Sequence, residues 1–113
     1  MNTIRIGMAQ INCTVGDLAG NTEKIIRYTE KAQEMCVDVL SFPEMAITGY
    51  PPEDLLLKRD FIDENLKYLD IIKNKTGNIC VVVGFVNRKN GIYNAAAVIQ
   101  NKKIAGIYHK MLL

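Results

Sequence analysis

The chain has 113 residues, which is enough for one domain and too few for two. Hydrophobic residues make up 49% of the sequence and charged residues 23%, which are values of a globular protein and exclude a disordered or collagen-like chain. Fourteen Lys and Arg against twelve Asp and Glu leave a formal net charge of +2, and the basic residues are scattered, so nucleic acid is not an expected partner.

Signals for a membrane or for secretion are missing from the sequence. No stretch approaches the roughly 20 apolar residues that span a bilayer, so no membrane partner is expected. Arg5 stands where a secretory signal would place its apolar run. Cys13, Cys36 and Cys80 are odd in number and widely spaced, which argues against a disulfide framework or a metal site and fits a reducing cytoplasm. Each is expected to be a small buried apolar group.

The first two predicted elements are a strand over residues 3–10 and an amphipathic helix over about 21–36. Asn21 is the predicted N-cap of this helix. The small residues Gly7 and Ala9 lie on one face of the strand, where another layer can approach closely. The large apolar side chains on the opposite face are Ile4, Ile6 and Met8.

The next part of the chain predicts a second crossover unit. Residues 37–42 form a short apolar run, which predicts a strand buried on both faces and paired in parallel with the first strand. A second amphipathic helix is predicted over about 53–74, after a loop at 49–52 that contains two prolines. The strongest strand signal of the chain lies at 79–86.

Two hairpins complete the predicted sheet. Asn90-Gly91 favours a type I′ turn into a strand at 93–100, and a second turn at 101–103 leads into a strand at 104–109. The order β-α-β-α-β-β-β, two crossover units followed by a meander, predicts an α/β fold with a mixed sheet.

Candidate functional groups occur at two strand ends. The sequence contains no Gly-rich phosphate loop, dinucleotide fingerprint or His pair at metal spacing. Glu44 follows the second predicted strand and Lys110 the last one, and functional groups of open α/β sheets gather outside the carboxyl ends of strands. On position alone, both are also compatible with an ordinary charged surface. His109, the single histidine, has no partner identifiable in the sequence, which favours packing or surface exposure over ligation.

The stretch 42–57, Phe-Pro-Glu-Met-Ala-Ile-Thr-Gly-Tyr-Pro-Pro-Glu-Asp-Leu-Leu-Leu, resembles the nitrilase, or carbon–nitrogen hydrolase, superfamily. The part from Gly49 to Leu56 narrows the resemblance to the N-terminal glutaminase domain of glutamine-dependent NAD synthetases. The resemblance covers essentially the whole chain, because similar segments occur at 4–12, 15–21, 93–96 and 108–113.

This resemblance implies a four-layer α-β-β-α sandwich, of which residues 1–113 supply the first half. It also implies that the rest of the glutaminase domain and a separate ATP-dependent synthetase domain are absent from this chain, and the apolar C-terminal run likewise favours a longer protein. The intact enzyme, a ligase, hydrolyses glutamine and passes ammonia to the second domain, where deamido-NAD becomes NAD with ATP and magnesium. This chain itself is expected to hold no cofactor, and the family forms homo-oligomers.

In the family, a glutamate, a lysine and a cysteine form the catalytic triad. Glu44 matches the glutamate that acts as general base, and Lys110 matches the lysine that stabilises the tetrahedral oxyanion. The nucleophilic cysteine of the family follows the lysine, beyond residue 113, so this chain alone is expected to be inactive. Tyr50 is a candidate for the glutamine pocket or its gating loop, with packing against Pro51 and Pro52 as the alternative.

Two other functions stay open. A stand-alone amidase or nitrilase of another small amide keeps the superfamily, but segment 49–57 counts against it. A non-catalytic binding or assembly module would explain the missing cysteine, but it gives no chemical reason to keep both Glu44 and Lys110. A later cysteine in a strand-to-helix turn, followed by an ATP-binding domain, would distinguish the glutaminase from both.

Overall fold

The computed structural model describes residues 2–110 and contains two α-helices and five strands in the predicted order. The elements are β1 (Ile6–Met8), α1 (Leu18–Glu34), β2 (Val39–Ser41), a 3-10 helix (Glu53–Leu57), α2 (Arg59–Lys75), β3 (Cys80–Arg88), β4 (Ile92–Gln100) and β5 (Lys103–His109). The sheet order is β1-β2-β3-β4-β5, in which β1, β2 and β3 are parallel while β4 is antiparallel to both β3 and β5. The predicted α/β fold with a mixed sheet is confirmed.

Both helices pack against one face of the sheet, and the main apolar core lies between the helices and this face, with a smaller buried cluster of Met45, Ile62 and Val86 beside it. The alternate side chains of β3 that point into this core have no exposed surface, which is why its sequence gives the strongest strand signal. Fully buried members of this core include Ile25 of α1, Val81, Val83 and Phe85 of β3, and Ala97 and Ile99 of β4.

The start of α1 differs from the prediction. Asp17, not Asn21, is the N-cap, and its carboxylate accepts a hydrogen bond from the amide of Gly20 at 3.0 Å. Asn21 lies inside the helix and is fully buried. Its side-chain amide donates to the carbonyls of Thr14 (2.8 Å) and Ile47 (2.9 Å) and accepts from the amide of Thr14 (2.8 Å). Asn21 therefore holds together the two loops that follow β1 and β2.

Replacing Asn21 with alanine is expected to destabilise the protein by about 2 kcal/mol, because it leaves partly buried backbone groups without hydrogen bonds. Urea unfolding at a fixed protein concentration measures this change. Asn74→Ala, at an exposed position of α2, is the matched control and is expected to change stability by less than about 0.5 kcal/mol. Equal effects of the two substitutions would contradict the bridging role of Asn21.

The helix predicted over 53–74 is interrupted at Lys58. This residue has an extended backbone (φ −96°, ψ 112°) and separates the 3-10 helix from α2. Its carbonyl accepts from the amides of Phe61 (3.1 Å) and Ile62 (3.3 Å), so the backbone itself caps the start of α2. The pattern predicts one helix because Leu55 and Leu56 continue the apolar spacing of α2.

The face of the sheet opposite the helices is open across β1 and β2 in the part of the chain that the structure describes. The large apolar side chains of β1 and of the residues before it lie on this open face: Ile4, Ile6 and Met8 are 70%, 68% and 77% exposed. Gly7 is on the packed face, where an added Cβ would lie 3.2 Å from side-chain atoms of both Val37 and Leu40. The prediction that β2 is buried on both faces is wrong, since Val39 and Ser41 are only half-buried beside the open face.

The turns of the two hairpins are exchanged relative to the prediction. The first hairpin has a three-residue loop, because Arg88 pairs with Ile92, so the type I′ turn predicted at Asn90-Gly91 is wrong. The second hairpin has a two-residue loop, Asn101-Lys102, with φ values of 53° and 59° between the paired residues Gln100 and Lys103. This positive φ at both positions is the signature of a type I′ turn.

Two further predictions concern the burial of the cysteines and the absence of membrane-spanning segments. Cys13 and Cys80 are half-buried, but Cys36 is exposed, contrary to the prediction that each cysteine is buried. Cys36 has a positive φ of 59° in the turn that leaves α1, which directs it away from the core. None of the helices within residues 2–110 is long and apolar enough to cross a membrane.

Candidate active site

Glu44 lies in a segment that continues the path of β2 alongside β3. The amide of Phe42 donates to the carbonyl of Val82 at 2.9 Å, and the amide of Ile47 donates to the carbonyl of Gly84 at 3.3 Å. Between these two bonds, the main chain of residues 43–45 lies against the α-carbon of Gly84 on β3. Glu44 is thereby held beside β3, just beyond the carboxyl end of β2, at an edge where polar groups of an open parallel sheet are accessible.

Lys110 directly follows β5, and its amide donates to the carbonyl of Asn94 on β4 at 2.8 Å. The Nζ atom of Lys110 donates to Oε1 of Glu44 at 2.9 Å, which joins two residues 66 positions apart in sequence. The structure therefore brings together the two charged residues that the sequence singles out.

The ion pair shifts the pKa values of both groups. The hydrogen bond from Lys110 is the main cause that lowers the pKa of the Glu44 carboxyl, with a small further lowering from Asn94. The hydrogen bond to Glu44 is likewise the main cause that raises the pKa of Lys110, with Tyr50 the smallest contributor. Both groups are therefore charged at neutral pH.

This electrostatic coupling defines a pH window for the pair. Above the ordinary pKa of a glutamate the interaction is complete, and it is lost as the pH falls through the lowered pKa of Glu44. It is also complete below the ordinary pKa of a lysine and is lost as the pH rises through the raised pKa of Lys110. Because both side chains are 55% exposed, solvent screens the pair, and it adds little to stability.

A shallow cavity of about 190 Å³ adjoins the ion pair. Its floor consists of the small residues Gly84, Ala95 and Ala96, and its rim includes Asn94 and Tyr108 besides the two charged side chains. An accessible carboxylate can accept a proton, and a fixed ammonium can meet developing negative charge on a bound molecule. The arrangement suits acid–base chemistry on a small polar molecule.

Tyr50, the remaining candidate from the sequence, lies in the loop before the 3-10 helix. Its side chain is 66% exposed, which leaves its surface accessible to a bound molecule. Tyr50 is not among the described residues that line the cavity, and its effect on the ion pair is a small electrostatic raising of the pKa of Lys110.

The sequence reasoning does not identify five of the residues that line this cavity: Gly84, Asn94, Ala95, Ala96 and Tyr108. Gly84 and Asn94 join the site only through the pairing of β3 and β4, in which Gly84 is opposite Ala96 and Asn94 is opposite Val86. The alternation of side chains along the strands predicts their shared face, but the register is needed to place them beside Glu44 and Lys110.

His109 has a packing role, as the sequence favours. Its ring stacks on Tyr93 with ring centroids 4.3 Å apart and an interplanar angle of 5°. Its Nε2 atom is 2.9 Å from the side-chain nitrogen of Asn87. Tyr93 lies on β4, the strand next to β5, and Asn87 lies on β3, one strand further away. Among the described residues, no three His, Cys, Asp or Glu side chains are grouped so that they could hold a metal ion.

Comparison with protein families gives a match to carbon–nitrogen hydrolases over residues 5–113. The chain is 42% identical over 115 residues to a glutamine-dependent NAD(+) synthetase of Thermotoga maritima, a match that covers 100% of the chain and 20% of that protein. It is 41% identical over 112 residues to the protein of the same name from Aquifex aeolicus, which covers 97% of the chain and 20% of that protein. The chain thus spans about one fifth of the length of these curated relatives.

Comparison with solved structures also gives a glutamine-dependent NAD(+) synthetase. A crystal structure of a glutamine-dependent NAD(+) synthetase from Cytophaga hutchinsonii matches 99% of the chain and 20% of its own length, with a TM-score of 0.94 and 34% identity. An amidase from Nesterenkonia sp. matches 97% of the chain and 43% of its own length, with a TM-score of 0.84, but at 22% identity it is evidence for the fold alone. The nitrilase-like fold and the family resemblance inferred from the sequence are confirmed.

Proposed function

The chain belongs to the carbon–nitrogen hydrolase family, and from this membership we propose that it supplies the general base and the cation of a glutamine-hydrolysing active site. The observation that carries the proposal is the 2.9 Å contact between Lys110 Nζ and Glu44 Oε1 beside a small cavity. Two opposite charges from distant parts of the chain meet there while both stay accessible to solvent. An ion pair that is this exposed contributes little to the free energy of folding, so a catalytic role explains its geometry better than a structural role.

The proposed reaction proceeds through a thioester. Glu44 accepts the proton of a cysteine thiol, the sulfur bonds to the amide carbon of glutamine, and Lys110 stabilises the negative oxygen of the tetrahedral intermediate. The C–N bond then breaks, and the departing nitrogen takes a proton from Glu44 and leaves as ammonia. Water, deprotonated by Glu44, attacks the thioester and releases glutamate, and the thiol is regenerated.

The lowered pKa of Glu44 has a role in this mechanism. In the resting pair the carboxylate is ionised and ready to accept a proton, although the hydrogen bond from Lys110 weakens its basicity. When the ammonium turns to the developing oxyanion, that hydrogen bond is released and Glu44 becomes a stronger base. A single movement of the Lys110 ammonium therefore stabilises the oxyanion and at the same time makes Glu44 a stronger base for the proton transfer.

The attacking cysteine in this proposal follows Lys110 in a longer polypeptide, whose N-terminal part corresponds to residues 1–113. The remainder completes the glutaminase domain and adds an ATP-dependent ligase domain. That domain uses the ammonia, with ATP and magnesium, to amidate deamido-NAD to NAD in the cytoplasm. The support is the similarity to relatives named glutamine-dependent NAD(+) synthetase at up to 42% identity. Within the glutaminase domain Tyr50 contacts glutamine or its entry path, and the enzyme assembles as a homo-oligomer.

The test compares the 113-residue chain with the polypeptide encoded by the whole reading frame. Ammonia release from glutamine is expected only from the longer polypeptide, because the chain alone has base and cation but no nucleophile after Lys110. The chain alone is also expected to associate, since its open sheet face carries large exposed apolar side chains. Size-exclusion chromatography and an ammonia assay measure the two properties.

A monomeric 113-residue chain that releases ammonia from glutamine would contradict both expectations, and the nucleophile would then be sought among Cys13, Cys36 and Cys80. A long polypeptide that hydrolyses other small amides, but not glutamine, would instead favour an amidase of the same superfamily. If neither polypeptide hydrolyses any amide, a binding or assembly module is the remaining function.

A further inference from the structure

We infer that Gly84 is a positioning residue for Glu44: its bare α-carbon lets the segment 43–45 lie close enough to β3 for the carboxylate to reach Lys110. The inference rests on the proposed function for its effect on catalysis. It concerns a glycine in the middle of β3, where glycine is otherwise unfavourable because it weakens strands.

The space at Gly84 is filled by the backbone of the segment that carries Glu44. A Cβ atom at this position would lie 2.5 Å from the amide nitrogen of Met45, 2.5 Å from the carbonyl oxygen of Pro43 and 2.9 Å from the carbonyl carbon of Glu44. Cβ atoms in proteins essentially never lie within 3.0 Å of such atoms, so something has to shift. All three neighbours are main-chain atoms, so no side-chain rotation relieves the overlap, and the segment itself has to move.

The side chain of Lys110 is flexible and exposed, but the main chain of Lys110 would not follow such a movement. Its backbone is fixed to β4 through the hydrogen bond from its amide to the carbonyl of Asn94. The far end of the Glu44 segment is also fixed, since Ile47 bonds to the backbone of Gly84 and to the side chain of Asn21. The displacement is therefore concentrated around Glu44. Relief of the overlap needs a shift of about 1 Å, which takes the 2.9 Å contact with Lys110 beyond hydrogen-bonding range.

Gly106 on β5 provides the matched control. It is also a strand glycine on the side of the sheet that leads to Lys110, but an added Cβ would meet no atom of residues 2–110 within 4 Å. Gly106→Ala therefore adds the same methyl group without disturbing either member of the ion pair. Comparing it with Gly84→Ala separates the effect of contact with the Glu44 segment from the effect of losing a glycine.

The experiment places each substitution in the polypeptide of the whole reading frame. Gly84→Ala is expected to lower kcat for glutamine hydrolysis by about 100-fold, because misplacement by 1 Å has an effect of that size. The acid limb of its kcat/KM profile is expected to move to higher pH, because Lys110 no longer lowers the pKa of Glu44.

Gly106→Ala is expected to leave both quantities unchanged, and ammonia-dependent synthesis should be equal in the two variants. A Gly84→Ala variant that matches Gly106→Ala in kcat and in the acid limb overturns the inference.

Hydrogen exchange of the unsubstituted polypeptide gives a second readout that needs neither activity nor a folded variant. The amide of Ile47, which bonds to Gly84, is expected to exchange as slowly as the amides within β3. Exchange at the rate of an open loop would mean that the segment is not held against Gly84 and overturns the inference. If the unsubstituted polypeptide does not hydrolyse glutamine, the proposed function fails, and this exchange measurement still tests whether the segment is held against Gly84.

Discussion

Glu44→Gln is expected to abolish glutamine hydrolysis by the polypeptide of the whole reading frame while leaving its ammonia-dependent amidation intact. Glutamine has the shape of glutamate, and its amide oxygen can still accept the hydrogen bond from Lys110, but it cannot take a proton from a thiol. Loss of the general base is expected to lower kcat at least about 10³-fold. Two assays on one preparation, with glutamine or with ammonium as nitrogen donor, measure the difference.

Glu64→Gln is the matched control for this substitution. Glu64 also forms an ion pair with a lysine, Lys67, at 3.5 Å, but it lies on the exposed surface of α2. Both activities are expected to be unchanged in that variant. If Glu44→Gln instead removes the two activities together, Glu44 supports the structure or couples the two sites, and its role as general base is contradicted.

Lys110→Met is expected to lower kcat for glutamine hydrolysis by about 10²- to 10³-fold, because the fixed charge that meets the oxyanion is lost. It is also expected to move the acid limb of the kcat/KM profile to higher pH. The sign follows from the ion pair: the hydrogen bond from Lys110 is the main cause that lowers the pKa of Glu44, so without it the pKa rises towards the ordinary value. The base is then ionised only at a higher pH.

Lys73→Met serves as the control, since Lys73 pairs with Asp70 at 2.8 Å on α2, away from the site. It is expected to change neither kcat nor the acid limb. A pH–rate profile of Lys110→Met that coincides with that of the unsubstituted protein would contradict the coupling of Lys110 with Glu44. A fall in kcat without a shift of the acid limb would assign Lys110 to the oxyanion alone.

Local sequence patterns predict the helices and strands of this fold well where the spacing of apolar residues within an element matches the face that the element buries. The run at 79–86 is a strand because its alternate side chains fill the core, and the spacing of apolar residues in both helices matches the faces that they bury. Glu44 and Lys110 are found at strand ends because the strand predictions before them are correct.

Several of the errors occur where the decisive partner lies outside the local sequence pattern. Asp17 and Asn21 are both residue types that cap helices, and only the bonds of Asn21 to Thr14 and Ile47 show that it is internal. The alternation of small and large residues along β1 separates its two faces, but it does not show which face packs against the helices. The structure turns Gly7 inward, where the side chains of Val37 and Leu40 pack closely. Gly84 and Asn94 need the strand register, which no local pattern contains.

The chain position of Lys110 makes the ion pair sensitive to fraying of one strand. β5 pairs with β4 alone among the described strands, and nearly all of its residues are exposed, so little buried surface opposes its local opening. β2 and β3, which hold Glu44, are anchored in the core. Detachment of β5 would carry Lys110 away from Glu44 while the helices and the other four strands stay folded. The lifetime of the pair is thus limited by the opening of β5, an edge strand that can separate from β4 without unfolding of the core.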